Sequence, residues 1–201
     1  MPFPIGTTYW QGATPPDATS GVEWEGREFV VEDLDYSSSP FKPRAYGNQI
    51  TYKTVRIVRN VGSFTMLPKR LASFKTTAYG RQVDGYATTT AAEGYPIDEF
   101  LISTGVVNND LFYIVVDGPA TVLTDPAVSS NNTITAGSTI LVALTAVTSQ
   151  STTAGRIAPQ DLTGATSLLA LQVQNRIGIA LTGITSTGNT ANSILAMVKK
   201  W

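Results

Sequence analysis

The sequence contains no cysteine and no histidine. The first absence excludes disulfides and thiolate metal sites. The second removes the commonest metal ligand and the commonest general base at neutral pH. Charge is scarce and unevenly spread: residues 1–110 hold 22 charged side chains and residues 111–201 only seven. A net charge of −1 and a pI near 5.4 lack the basic excess of a nucleic-acid binder, so no nucleic-acid partner is expected. No apolar run approaches the length needed to span a membrane, and no membrane partner is expected. The start, MPFPIGTTYW, has no basic stretch leading into an apolar one. It therefore reads as a chain made in a cytoplasm, without a signal peptide.

What is present is enough to bury a core: 201 residues, 42% of them hydrophobic. The second half is crowded with Thr, Ser, Ala, Gly, Val, Ile and Leu, which suit strands and tight turns better than helices. Strand candidates are 50–59, 64–75, 82–88, 111–117, 120–123, 139–148, 168–173, 176–181 and 193–199. Turn signals separate them, among them Asn60-Val61-Gly62, Asp117-Gly118-Pro119 and Thr187-Gly188-Asn189. Residues 96–101 could form a helical turn, and 159–171 could hold a short helix. The expected class is all-β, a β-barrel or β-sandwich over 51–201.

Residues 1–50 read as an extended N-terminal arm, rich in proline and glycine and then acidic. Its aromatics Phe3, Tyr9, Trp10 and Trp24 suggest that it docks, either on the chain's own core or on a neighbour. Charge comes in blocks. Residues 17–35 carry seven acids against one arginine, 36–83 carry nine bases and no acid, and 84–110 are acidic again. Such blocks either neutralise each other within the fold or set register against neighbouring subunits. On the second alternative the candidate intersubunit contacts are Trp10, Trp24, Arg56, Arg59, Lys69 and Arg70.

Catalytic patterns are weak. Ser39-Pro40-Phe41-Lys42 matches S-x-x-K, but its prolines oppose the helix that would align Ser with Lys, and no S-D-N or K-T-G follows. Glu32-Asp33-Leu34-Asp35 offers paired carboxylates of the kind that glycosidases and oxygen-ligand metal sites require, but without the spacing of a calcium loop it reads as surface acid. No glycine-rich phosphate loop occurs. The basic block interleaves with Tyr46, Tyr52, Phe64, Phe74 and Tyr79 like a stacking surface for single strands, but the apolar residues scattered through it make several of those aromatics core. Asn131 alone matches a glycosylation acceptor. No enzyme activity, catalytic residue, metal ligand or cofactor is expected.

The last stretch, RIGIALTGITSTGNTANSILAMVKKW, reads as a closing hairpin. Strict alternation puts Ile177, Ile179 and Leu181 on a large face and Gly178 and Ala180 on a small one. In 193–201, Ile194, Ala196 and Val198 share one face, and Leu195, Met197 and Trp201 the other. A strand apolar on both faces needs cover on both, from this chain or from another copy. Lys199 and Lys200 read as guards of a terminal edge.

Five segments in succession carry a resemblance: DLFYIVVDGPATVLTD (110–125), AGSTILVAL (136–144), AGRIAPQ (154–160), NRIGIALTGIT (175–185) and ILAMVKKW (194–201). In this order they resemble the head decoration, or cement, proteins of tailed bacteriophages. VRIVRNVGSFTMLPKRLASFK (55–75) and RQVDGYATTTAAEGYPIDEFL (81–101) are similar to upstream parts of capsid-associated phage proteins. The resemblance spans 55–201 and leaves the arm unassigned. It implies a non-enzymatic virion protein on the capsid exterior, partnered by the major capsid protein and by copies of itself, as a homotrimer or another homo-oligomer. The alternatives are another virion structural role (small capsid, head-fibre or tail protein) or a carbohydrate-binding β-module.

Overall fold

The computed structural model describes residues 22–35, 40, 42–46, 49–88, 94–101, 103–124, 134–142, 154–159, 176–184 and 192–199. The chain is all-β, as its composition predicts. After a turn at 22–26 come β1 (Glu28–Glu32), β2 (Leu34–Asp35), β3 (Lys42–Pro43), β4 (Ala45–Tyr46), β5 (Gln49–Ile50) and β6 (Tyr52–Asn60). Then follow β7 (Leu71–Phe74), a 3-10 turn at Thr76–Ala78, β8 (Gln82–Tyr86), β9 (Tyr95–Pro96), β10 (Leu111–Leu123), β11 (Thr139–Val142), β12 (Ile157–Pro159), β13 (Arg176–Ala180) and β14 (Ser193–Val198). The main sheet runs β12-β11-β13-β14-β10-β6-β8-β7-β9, with β1 also on β6. All its ladders are antiparallel except β6–β8. Its two ends return to β10 and its continuation through single bridges, Ile97 to Ile114 and Thr124 to Ile157. The sheet therefore folds over on itself like a sandwich, and among the described residues no continuous ladder closes it as a barrel.

β10 organises both cores. Leu111, Tyr113 and Val115 enter one cluster, with Val55, Ile57, Ile140 and Ile194; Phe112, Ile114 and Val116 enter the other, with Val58, Met66 and Ile97. A strand buried on both faces needs a continuous apolar run, and LFYIVV supplies it. The sequence suggests a turn at Asp117-Gly118-Pro119, yet the strand continues through it. A register shift between Val115 and Asp117 and a φ of +99° at Gly118 bend the strand. There it exchanges β6 for β14 as its ladder partner. A Cβ at Gly118 would come within 2.8 Å of the Lys53 Cα, so only glycine fits the bend.

Several expectations need correction. The boundary at residue 50 cuts through paired structure, because β1 lies in the main sheet in register with β6, Phe29 opposite Val55 and Val31 opposite Lys53. EFVVE has strand chemistry of its own, with Phe29 and Val31 packed on the larger core. Residues 1–21, including Trp10, lie outside the described residues. Residues 96–101 enter from a strand and form turns, without a helix. The candidate strand 168–173 and most of 159–171 lie outside the described residues, as do Ser39, Phe41 and Asn131.

The terminal hairpin pairs as expected, Gly178 opposite Val198 and Ala180 opposite Ala196, although 187–189 lie outside the described residues. Its faces do not alternate strictly. A register shift against β11 turns Ile177 and Ala180 inward and leaves Ile179 38% exposed. β14 is no edge: it lies between β13 and β10. Lys199 follows an inner strand and does not guard a free one.

Candidate functional site

Leu195 and Met197 alternate with the buried Ile194, Ala196 and Val198 and form the outer face of β14, which is half-buried. The segment carrying β2 to β5 stands over this face. Between them lies a cleft of about 430 Å³ with an apolar wall of Pro119, Leu181, Leu195 and Met197. The opposite wall is polar, built from Asp35, Lys42, Pro43 and Arg44. The second layer that the hairpin needs is thus partly this chain's own. The volume lies in the range of small-ligand or side-chain pockets.

Ion pairs fix the polar wall. β2 pairs with β3 and β4 with β5, each over two residues, too short to be stable alone. Backbone bonds from Asp33 to Thr51, from Arg44 to Asp33 and from Thr51 to Arg44 draw the segment together. The Arg44 guanidinium donates to Asp33 Oδ1 at 2.9 Å and to Glu99 Oε1 at 3.1 Å. Lys53, 2% exposed, donates its ammonium to Asp98 Oδ1 at 3.2 Å and lies 4.0 Å from Asp33. Burial raises the Asp33 carboxyl above its ordinary pKa, against the pull of Arg44 and Lys53.

Two further ion pairs join Arg56 to Glu28 and Arg59 to Glu25. Every one of these pairs links the basic block 36–83 to an acidic block before or after it. The segregated charge of the sequence therefore acts as a set of staples within the fold. The block pattern was visible in the sequence; which residues meet was not, because β1, β6 and the turn after β9 come together only in the sheet.

The five described contact candidates do not form one surface. Arg59 is 1% exposed, so it has nothing to offer a neighbour. Its guanidinium binds Glu25, the Asn109 side chain at 2.7 Å and the Asn109 carbonyl at 3.0 Å. Arg56 donates to Glu28 and to the Gly80 carbonyl and lies 5.4 Å above the Phe74 ring. Arg70 reaches the Ala154 carbonyl at 3.4 Å and stacks 4.9 Å over Tyr86. Lys69 is half-buried with a φ of +65°, bonded through its backbone to Ile97 and Leu123. Trp24 packs on the larger core under the Arg27 guanidinium. In the acidic pair, Asp33 is held by Arg44, while Asp35 faces the cleft.

No protein-family model matches this chain, and no curated protein is similar to it. No helix among the described residues is long and apolar enough to cross a membrane.

Proposed function

We propose that this chain is a non-enzymatic structural protein of a tailed-phage virion. It binds the outer surface of the assembled capsid and cements contacts between capsomers, its partners being the major capsid protein and other copies of itself. One observation carries the reading. The five segments of the resemblance fall on β10, β11, β12, β13 and β14, and these strands are neighbours in the sheet, in the order β12-β11-β13-β14-β10. Segments spread over ninety residues thus form one contiguous unit, as expected if their order reflects a shared architecture. The stapled fold suits the role: a shell protein needs rigid surface, and repetition over the particle multiplies modest contacts.

The test is electron microscopy of purified particles with and without the protein, together with sizing of the free chain. Added density confined to the shell exterior is the expected result. A protein that never associates with particles, or that turns over a substrate, overturns the reading.

A further inference from the structure

A lysine on a core face of a sheet is costly unless its charge is matched or removed. Lys53 shares its face of β6 with Val55 and Ile57, in line with the larger core, and is 2% exposed. Its neighbour across the ladder on β1 is Val31, which packs on the same core. Two carboxylates meet its ammonium from separate elements: Asp98, after β9, at 3.2 Å, and Asp33, after β1, at 4.0 Å. Each of these side chains is 1% exposed. The Asp98 N–H donates to the Tyr113 carbonyl at 3.0 Å, which fixes the residue beside β10. Its Oδ1 also accepts the Phe100 amide N–H at 3.1 Å.

An ion pair alone needs only one acid per lysine. Here Arg44 joins Asp33 and Glu99, and Lys53 joins Asp33 and Asp98, so that three carboxylates share two cations. One retained proton evens this charge. Burial makes Asp33 the acid that keeps it, against the pull of Arg44 and Lys53 and with the help of the Glu99 charge. A protonated acid, an amine and a second carboxyl, all shielded from water and held together, are the parts of an amide-forming site. The Phe100 N–H adds a donor at the oxygen where negative charge would collect.

We propose that the Lys53 Nζ and the Asp98 carboxyl condense into an intramolecular amide bond, with Asp33 as the proton carrier. The ammonium first returns a proton to the Asp98 carboxylate, because burial favours the neutral pair. The nitrogen lone pair then attacks Asp98 Cγ, and the carbonyl electrons move onto Oδ1, where the Phe100 N–H stabilises them. Asp33 gives its proton to the departing Oδ2 hydroxyl and takes one from the nitrogen. The N–Cγ bond forms, the Cγ–Oδ2 bond breaks, one water leaves, and Asp33 ends as it began. Nothing is oxidised or reduced. Asp33 also lines the cleft beside β14, which gives the water a way out. The amide replaces two buried charges with none and closes a covalent loop between β6 and the turn after β9. The inference does not rest on the capsid reading.

Mass spectrometry of the full chain, folded and then opened in denaturant, should find it lighter than its sequence by one water. A tryptic digest should contain residues 45–56 joined to residues 82–156, with no cleavage after Lys53. Lys53→Arg keeps the positive charge but should stand at its full mass. Asp98→Asn should lose ammonia in place of water and so arrive at the same mass as the linked wild type. Asp33→Asn should keep a thermal transition yet remain at full mass, because the proton carrier is gone. A wild-type chain at its full sequence mass would overturn the proposal. So would a water loss confined to the peptide 82–156, the mark of a ring closed at Asp98 without the lysine. An Asp33→Asn variant linked as completely as the wild type would overturn the part given to Asp33.

Discussion

Arg56 and Arg59 lie three residues apart on β6 and project to opposite faces of the sheet. The Arg56–Glu28 pair is partly wet, with 19% and 30% of the side chains exposed, and such pairs contribute about 0–1 kcal/mol. The Arg59–Glu25 pair is dry, at 1% and 2%, and Gln82 also donates to Glu25. Removing one member of a buried pair strands the other charge, at a cost of about 3–5 kcal/mol. Glu28→Ala should therefore shift the denaturant midpoint slightly and Glu25→Ala severely. Replacing both buried partners, as Glu25→Leu with Arg59→Met, should recover most of the loss. A double variant no more stable than Glu25→Ala would show that the network, not the stranded charge, sets the cost. Two tyrosines make a similar contrast. Tyr86 donates to the Thr65 carbonyl and accepts from the Leu67 amide, so its buried hydroxyl is satisfied. The Tyr113 hydroxyl is buried without a hydrogen-bond partner among the described residues. Burial, aided by Asp98, pushes its pKa from 10.0 up to about 12. A raised folded pKa means that the native state holds its proton longer than the unfolded chain. Stability from this group is then fully present below pH 10 and falls as pH rises toward 12, by about 2–3 kcal/mol. Tyr113→Phe should be about 1 kcal/mol more stable at neutral pH, since it removes an unsatisfied group. It should also flatten the alkaline limb of a plot of unfolding free energy against pH. An unchanged alkaline limb would mean that Tyr113 is not the titrating group.

At the scale of elements, the all-β class and the strands β6, β8, β13 and β14 were legible because apolar and β-branched residues bounded by turn signals mark them. Three features were not. Asp117-Gly118-Pro119 carries turn chemistry, but the same residues serve a bend inside β10, and only the presence of β14 beside it decides between the two. The strand β1 was hidden inside an acidic stretch, because Glu28 and Glu32 share one face of it with Val30, while Phe29 and Val31 turn to the core. The faces of β13 were read by strict alternation, and a bulge reverses them. Local periodicity assumes an unbroken ladder, and the bulge is created by pairing with β11. Gly178 holds this arrangement in place: an added Cβ would lie 2.0 Å from the Met197 carbonyl oxygen, a backbone atom with no rotamer to move. Gly178→Ala should therefore force β13 off β14 and lower stability by about 1–3 kcal/mol. Hydrogen exchange read across the two strands should rise at Ile177 and Met197 before it rises at Val115 in β10. Equal effects in β10 would show that the hairpin is not a separate cooperative step.

At the scale of the whole molecule, the charge blocks bear on where the domain begins. A boundary at residue 50 would leave Arg59 without Glu25 and Lys53 without Asp33, and it would strip Trp24, Phe29 and Val31 from the larger core. Stranding the Arg59 guanidinium alone costs about 3–5 kcal/mol, a large share of the roughly 5–15 kcal/mol that holds a domain together. The lost apolar cover adds to that, and it bares the inner face of β6, where Val55 and Ile57 are otherwise buried. A fragment of residues 51–201 should accordingly show no cooperative thermal transition by circular dichroism and should aggregate, while the full chain unfolds in one step. Adding a separate peptide of residues 22–50 should restore part of the transition, because the missing groups reach the sheet through β1 pairing and not through a covalent constraint. A fragment that melts within a few degrees of the full chain would return the boundary to residue 50. It would also show that the acidic and basic blocks meet in the structure without being needed for the fold.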